Sequence, residues 1–240
     1  MMARRVCLVD ELRPLNLPLR GHHEHTYPSG KINQVTNSRS LSGKAAVYDI
    51  WGKLTESKAQ DRCLKLANIQ DGEAILEVAV GTGLSFQRVL QQNPSGINEG
   101  LDLSPAMLAK AKEKAMQTGV TNYNLALGDA YQLDYADASF DLLVNNYMFD
   151  LLPKADFRLI LQEFYRVLRP GGRLVLLDMA QGKHWYNRIW DTIYRIQPSW
   201  LGGCRGVALF DDVQAVGFEQ VTREFISQMT FPSEVIYGVK

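Results

Sequence analysis

The stretch Ala74-Ile75-Leu76-Glu77-Val78-Ala79-Val80-Gly81-Thr82-Gly83 decides the fold. Ala74 to Val80 is a short, nearly continuous apolar run, the kind that forms a strand covered on both faces. Asp71-Gly72 supplies a turn before it, and the helical pattern Leu84 to Leu90 begins immediately after it. The corner between strand and helix carries only small residues. Such a loop lets a ligand approach the backbone, and the helix N-terminus offers it unsatisfied N–H donors. A nucleotide-type ligand is the expectation; a glycine turn that merely tightens the corner is the other reading of the same residues. Two common fingerprints fail here. The Gly-x-Gly-x-x-Gly/Ala dinucleotide pattern would need a small residue where Phe86 stands, and no Gly-x-x-x-x-Gly-Lys-Ser/Thr segment occurs anywhere in the chain.

Working outward, strand-like and helical segments alternate. Upstream, Thr55 to Ser57 are expected to cap a helix whose apolar positions Ala59, Cys63, Leu66 and Ala67 recur at helical spacing, ending near Asn68. Downstream come Ile97–Leu101 (extended), Ser104–Met116 (helical), Tyr123–Leu127 and Phe140–Val144 (extended), then a helix over Ala155–Leu168 with Phe157, Ile160, Leu161, Phe164 and Leu168 on one face. Pro170-Gly171-Gly172 is expected to stop that helix before the buried strand Arg173–Leu177. An aromatic helix over Trp185–Ile196, a short helix near Asp211–Val216, and extended segments Phe218–Ile226 and Val235–Val239 complete the chain. This order predicts an α/β, Rossmann-like doubly wound sheet, mainly parallel with a C-terminal antiparallel strand pair and helices on both faces.

The 240 residues hold 26 basic and 26 acidic side chains, with three cysteines. Zero net charge without a long like-charge run argues against a nucleic acid partner. No stretch approaches the roughly 18 apolar residues of a spanning helix, and Asp178 breaks the run around Leu174–Leu177, so no integral membrane segment is expected. The N-terminus lacks a secretory pattern, and Cys7, Cys63 and Cys204 are isolated, so the expectation is a cytoplasmic protein. Residues 1–40 read as an N-terminal arm, rich in proline and polar residues, and residues 41–240 as one domain. His22, His23 and His25 beside Glu24 read as a solvated segment; no metal is expected.

Gly100-Leu101-Asp102-Leu103-Ser104-Pro105-Ala106-Met107-Leu108 is the second informative stretch, with Asp102 ending a strand 19 residues after Gly83. A carboxylate there is placed to accept both hydroxyls of a ribose. Ser104-Pro105 also reads simply as a helix start. With these residues in view the chain resembles the class I S-adenosylmethionine-dependent methyltransferases. Glu77–Gly83 looks like their glycine-rich first motif, with Ala79 replacing the usual first glycine, a substitution mild in size. Gly128-Asp129-Ala130 looks like the third motif, and Val144-Asn145-Asn146 corresponds to the end of the fourth strand. Arg166-Val167-Leu168-Arg169-Pro170-Gly171-Gly172 resembles the ubiquinone/menaquinone biosynthesis branch in particular.

The resemblance implies S-adenosyl-L-methionine as cofactor and a small-molecule methyl acceptor that is aromatic, quinone-like or lipid-like. It implies a cofactor set of Tyr48, Glu77, Val78, Ala79, Gly81, Gly83, Asp102, Leu103, Met107, Gly128, Asp129, Ala130 and Asn145. Asp102 would hold the ribose, Asp129 the adenine amine and Asn145 the methionine end; Tyr48-Asp49 resembles a pair that closes over the cofactor, though Tyr48 equally reads as a buried aromatic. No catalytic residue is singled out. His184, Asp150 and Tyr147 are the candidates for a base, on the side where the carboxyl ends of parallel strands gather. A cofactor-binding protein without transfer activity is the alternative.

Overall fold

The computed structural model describes residues 55–181, 190, 192 and 204–240. The arm, Tyr48 and His184 lie outside these residues, as does the helix read over Trp185–Ile196 apart from Trp190 and Thr192.

The described elements are α1 (Ser57–Ala67), β1 (Ala74–Val78), α2 (Leu84–Gln92), β2 (Ile97–Asp102), α3 (Pro105–Met116), β3 (Tyr123–Leu127), β4 (Phe140–Asn146), α4 (Phe157–Val167), β5 (Leu168–Met179), α5 (Phe210–Val216), β6 (Glu219–Gln228) and β7 (Phe231–Val239). Short 3₁₀ turns at Phe149–Leu151 and Lys154–Asp156 join β4 to α4. The sheet runs β3-β2-β1-β4-β5-β7-β6. β1 pairs in parallel with both β2 and β4, β4 with β5, and β2 with β3. β7 then runs antiparallel between β5 and β6. The expected fold class is the observed one.

Period-two alternation explains why β1, β4 and β5 read as unbroken apolar runs. Leu76, Val78, Leu143, Leu174 and Leu176 belong to the core on one face, with α4 and α5. Ile75, Leu142, Val144, Val175 and Leu177 belong to the other, under α1. Phe157, Ile160, Leu161, Phe164 and Val167 form the buried stripe of α4. Fully burying such a side chain is worth roughly 1.5–3 kcal/mol, which makes this stripe the main anchor of α4.

Two local expectations are corrected. The N-cap of α1 is Glu56, within the expected Thr55–Ser57, but it makes no side-chain cap bond. Asn68 closes that helix in the left-handed conformation at φ 46°. Pro170-Gly171-Gly172 does not end α4, which stops at Val167; it lies within β5, where the β4 ladder shifts register between Leu168 and Arg173. Pro170 has no N–H to give that ladder. The bulge pairs instead with the end of the chain, through Gly171 N–H to Lys240 O at 2.7 Å and Lys240 N–H to Gly172 O at 2.9 Å.

The order of strands reverses between β1 and β4. Chain leaves β1 toward β2 and β3 on one side, then returns to β4 on the other, so a crevice opens above the carboxyl ends of these strands.

Candidate functional site

Asp102, the last residue of β2, ties the crevice together. Its Oδ2 accepts from the Gly81 N–H at 2.8 Å and its Oδ1 from the Ser104 N–H at 2.8 Å. Its backbone carbonyl accepts from the Gly128 N–H at 3.2 Å. One residue thus fixes the loops after β1, β2 and β3. Burial raises its carboxyl above the ordinary aspartate range, opposed by the N–H groups of Ser104, Gly81 and Leu103. Each oxygen keeps a second lone pair for a ligand hydroxyl.

The loop itself is forced by its backbone. Ala79, Gly81 and Gly83 all have positive φ, at 60°, 55° and 82°. Gly83 is the N-cap of α2, and a Cβ there would stand 2.6 Å from Ala111 Cα, so only glycine lets α2 and α3 approach. At Ala79 the matter is not size. An L-residue in the left-handed region costs roughly 1–2 kcal/mol, so alanine in place of glycine stores strain. Phe86, which broke the dinucleotide pattern, is fully buried and edge-on to Tyr123 with ring centroids 6.2 Å apart. Gly100 makes room for it: a Cβ on Gly100 would lie 3.1 Å from Phe86 Cε2.

Around this frame the predicted residues gather on one edge. Leu103 is exposed beside Asp102, and Met107 begins α3, its N–H donating to Ser104 Oγ at 3.4 Å. Half-buried Asp129 accepts from the Tyr131 N–H at 3.0 Å, next to Gly128 and buried Ala130. Glu77, next to last in β1, is fully enclosed. Ser85 and Asn146 bond its carboxyl, its Oε2 has no partner among the described residues, and burial lifts its pKa to about 8. Asn145 donates to Val78 O at 2.8 Å, while its Oδ1 has no partner among the described residues. Ser85 is a residue sequence reasoning missed; second in its helix, it gives no signal until the strand beside it is known.

The carboxyl ends of β4 and β5 hold a second group. Tyr147 leaves β4 with φ 50° and its hydroxyl shares a hydrogen bond with Ser233 Oγ at 2.8 Å. Asp178 Oδ1, in β5, accepts from the Phe149 N–H at 2.9 Å and from the Asp150 N–H at 3.4 Å. Asp150 Oδ2 faces the Met179 N–H at 3.5 Å, and the Cys204 thiol also bonds this carboxyl. Burial pushes both carboxyls up, and each raises its neighbour's cost of ionising. Asp178 was visible in the sequence as the break in an apolar run, but nothing local linked it to Asp150. The Trp190 and Phe231 rings meet edge-on at 5.3 Å, and Tyr147 lies 6.3 Å from Phe231. No group of three or more His, Cys, Asp or Glu suited to a metal occurs among the described residues. No helix among them is long and apolar enough to cross a membrane.

Comparison with known proteins agrees with this geometry. Residues 75–172 match the family described as "Methyltransferase domain". The chain is 30% identical over 174 residues to an arsenite methyltransferase of Halobacterium salinarum, covering 67% of this chain and 43% of that protein. It is 34% identical over 125 residues to a demethylmenaquinone methyltransferase of Listeria welshimeri, covering 52% of each. The chain thus spans about half the length of these curated relatives. A solved SAM-dependent methyltransferase from Aquifex aeolicus shares the fold with TM-score 0.56 at 16% identity, over 78% of this chain and 91% of that one.

Proposed function

From a chain whose residues 75–172 are a methyltransferase domain of the class I, S-adenosylmethionine-dependent kind, we propose transfer of a methyl group to a small-molecule acceptor that is aromatic, quinone-like or lipid-like. The observation that carries the proposal is Asp102, a carboxylate at the end of β2 held by Gly81 and Ser104 N–H groups with acceptor capacity to spare.

The residues fit the cofactor. Two carboxyl groups, Asp102 and Asp129, stand at the crevice, and behind them the buried Glu77 Oε2 and Asn145 Oδ1 have no partner among the described residues. That set suits a cation bearing vicinal hydroxyls and amines. It disfavours a pyrophosphate, and Phe86 fills the place where a dinucleotide fold keeps a small residue. When bound, S-adenosylmethionine supplies an electrophilic methyl on a positively charged sulfur. Asp102 would hold the ribose hydroxyls, Asp129 with Gly128 and Ala130 the adenine, Leu103 and Met107 its apolar faces, and Glu77, Val78, Ala79, Gly81, Gly83 and Asn145 the methionine end, with Tyr48 closing over it. The chain's own contribution is position and exclusion of water, because holding reactants about 3–3.5 Å apart supplies much of the barrier reduction.

For the acceptor, the aromatic cluster of Trp190, Phe231 and Tyr147 supports a flat apolar compound, as does the relative named for demethylmenaquinone. A thiophilic metalloid acceptor such as arsenite is less well served: burial raises the Cys63 and Cys204 thiols and keeps them protonated, whereas soft ligands bind as thiolates. Neutral net charge supports a partner other than nucleic acid, and the free thiols Cys63 and Cys204 support a reducing, cytoplasmic setting.

The test is a screen of metabolite extracts for methyl incorporation from labelled S-adenosylmethionine, with parallel titrations of S-adenosylmethionine and NADH. Labelled small molecules and preference for S-adenosylmethionine are expected. Binding without transfer to any acceptor would indicate a cofactor-binding protein, and preference for NADH would overturn the proposal.

A further inference from the structure

At the end of the sheet away from the cofactor crevice, Arg169 pairs with Asp141 and Arg173 with Glu73, so the charges of that groove are mutually satisfied and offer a ligand nothing unclaimed. The loop after β3 is different. It carries Asp129, proposed above to meet the adenine amine, and it is tied down by α4 and the turn before it, at least 25 residues further along the chain. Leu133 N–H donates to Glu163 Oε2 at 3.0 Å, and the Arg166 guanidinium donates to Leu133 O at 2.9 Å and to Tyr135 O at 2.7 Å. Closest in sequence to Asp129 is the Tyr131 hydroxyl, which donates to Asp156 Oδ2 at 2.8 Å.

Two features set this last bond apart. Asp156 is the N-cap of α4, and aspartate is among the best capping residues, yet it makes no side-chain cap bond and gives Oδ2 to Tyr131 instead. Tyr131 also holds Asp129. Its backbone N–H donates to Asp129 Oδ1 at 3.0 Å and Gln132 N–H donates to Asp129 O at 3.1 Å, so one tight turn fixes the carboxylate and is itself anchored by the hydroxyl. Asp129 Oδ2 has no partner among the described residues.

We propose that Tyr131 is a positioning residue for adenine: its hydroxyl, latched to Asp156, fixes the turn that holds one Asp129 oxygen and aims the other at the exocyclic amine. The proposal rests on the S-adenosylmethionine reading above. The Tyr131 ring packs against the main apolar core and its hydroxyl is bonded, so the side chain is pinned at both ends and the N–H at its base is pre-organised. Burial, the Asp156 bond and the charges of Asp156 and Asp129 push the phenol well up, so it stays a protonated donor near neutral pH. Discrimination follows. The adenine amine donates to a carboxylate, whereas the carbonyl oxygen of hypoxanthine in the same place sets lone pair against lone pair. A well-aimed carboxylate therefore both holds adenine and rejects hypoxanthine, and a swinging one does neither.

The experiment titrates the full chain calorimetrically with S-adenosylhomocysteine and with S-inosylhomocysteine, in which a carbonyl oxygen replaces that amine, on variants shown folded by circular dichroism. The unaltered protein is expected to favour the adenosyl ligand by about 20-fold or more. Tyr131→Phe and Asp156→Ala should each weaken the adenosyl ligand about 5- to 10-fold and leave the inosyl ligand within about twofold. The double variant should lose no more than either single one, because both changes break the same bond. Asp156→Asn, whose amide carbonyl still accepts the hydroxyl, should stay within about twofold of the original for both ligands. Equal weakening of both ligands, losses that add in the double variant, or unchanged adenosyl affinity in both single variants would each overturn the latch. If Tyr131→Phe fails to fold, the Asp156 variants decide alone, since alanine breaks the bond and asparagine keeps it. Measurements on the unaltered protein test the underlying reading separately: equal affinity for the two ligands would remove Asp129 from the adenine amine, and binding of neither would overturn the cofactor assignment itself.

Discussion

Replacing Asp102 by alanine separates ligand recognition from scaffold. In the ligand-free protein the carboxylate accepts the Gly81 and Ser104 N–H groups at 2.8 Å each. The loop is partly open to water, which can take over those donors, so the loss of stability is expected to be about 1–2 kcal/mol. Ligand binding loses more. Each carboxylate oxygen already serves one backbone donor, leaving one ribose hydroxyl per oxygen at roughly 1–1.5 kcal/mol net. Two such bonds sum to about 2–3 kcal/mol, a weakening of roughly 30- to 150-fold. Calorimetric titration with S-adenosylmethionine and with its demethylated product, on protein shown folded by circular dichroism, measures this directly. Because the ribose is common to both ligands and the sulfonium charge is not, both affinities should fall together. Asp102→Asn should rescue little, because its amide N–H₂ group would face one of the two backbone donors. Affinities for both ligands within twofold of the original would refute the ribose assignment; a fall confined to the charged ligand would show that Asp102 acts on the sulfonium instead.

Three further outcomes follow from the loop and its neighbours. Burial lifts Glu77 from 4.5 to about 8, so the folded state holds a proton that the unfolded chain releases; its stabilising effect is full below about pH 4.5 and is lost as pH rises through 8. Relative to Glu77→Gln, the original protein should lose on the order of 3 kcal/mol of unfolding free energy between pH 5 and pH 8.5 in denaturant melts, and parallel pH curves for the two proteins would contradict this. Gly83→Ala drives a Cβ to 2.6 Å from Ala111 Cα at φ 82°, and urea unfolding should show a loss of about 2–4 kcal/mol from strain and overpacking; a loss below 1 kcal/mol would mean α2 and α3 separate freely. Ala79→Gly should be the opposite case, neutral to about 1 kcal/mol more stable in the same melts, because relief of the left-handed strain exceeds the added chain entropy of glycine; a clear destabilisation would contradict it.

Much of the fold was legible because its signals are short-range. The apolar run Ala74–Val80, the small-residue corner and the stripe of α4 each declare themselves within a dozen residues, since the periods of strand and helix do. The C-terminal hairpin was only half legible. Its partners were readable as extended, but the two-residue turn is Met229-Thr230, with φ 49° and 66° rather than the Asn-Gly that usually marks positive φ, so its tightness left no trace in residue type. The bulge at Pro170 was likewise misread, since proline forbids a ladder bond without saying whether a helix or a strand will absorb the gap.

The site divides along the same line. Sequence by itself determined that Gly81, Gly83 and Asp102 sit at strand ends, because each lies where an apolar run gives way to a helix start. Only the tertiary structure decided that the Asp102 carboxylate closes onto Gly81 N–H, that Glu77 is sealed from water with its proton held, and that Asp150 and Asp178, 28 residues apart, share one dry corner. Periodicity records how a segment meets the core, whereas the field at a buried carboxyl depends on charges and donors delivered by distant strands, which neighbouring letters in the chain do not encode.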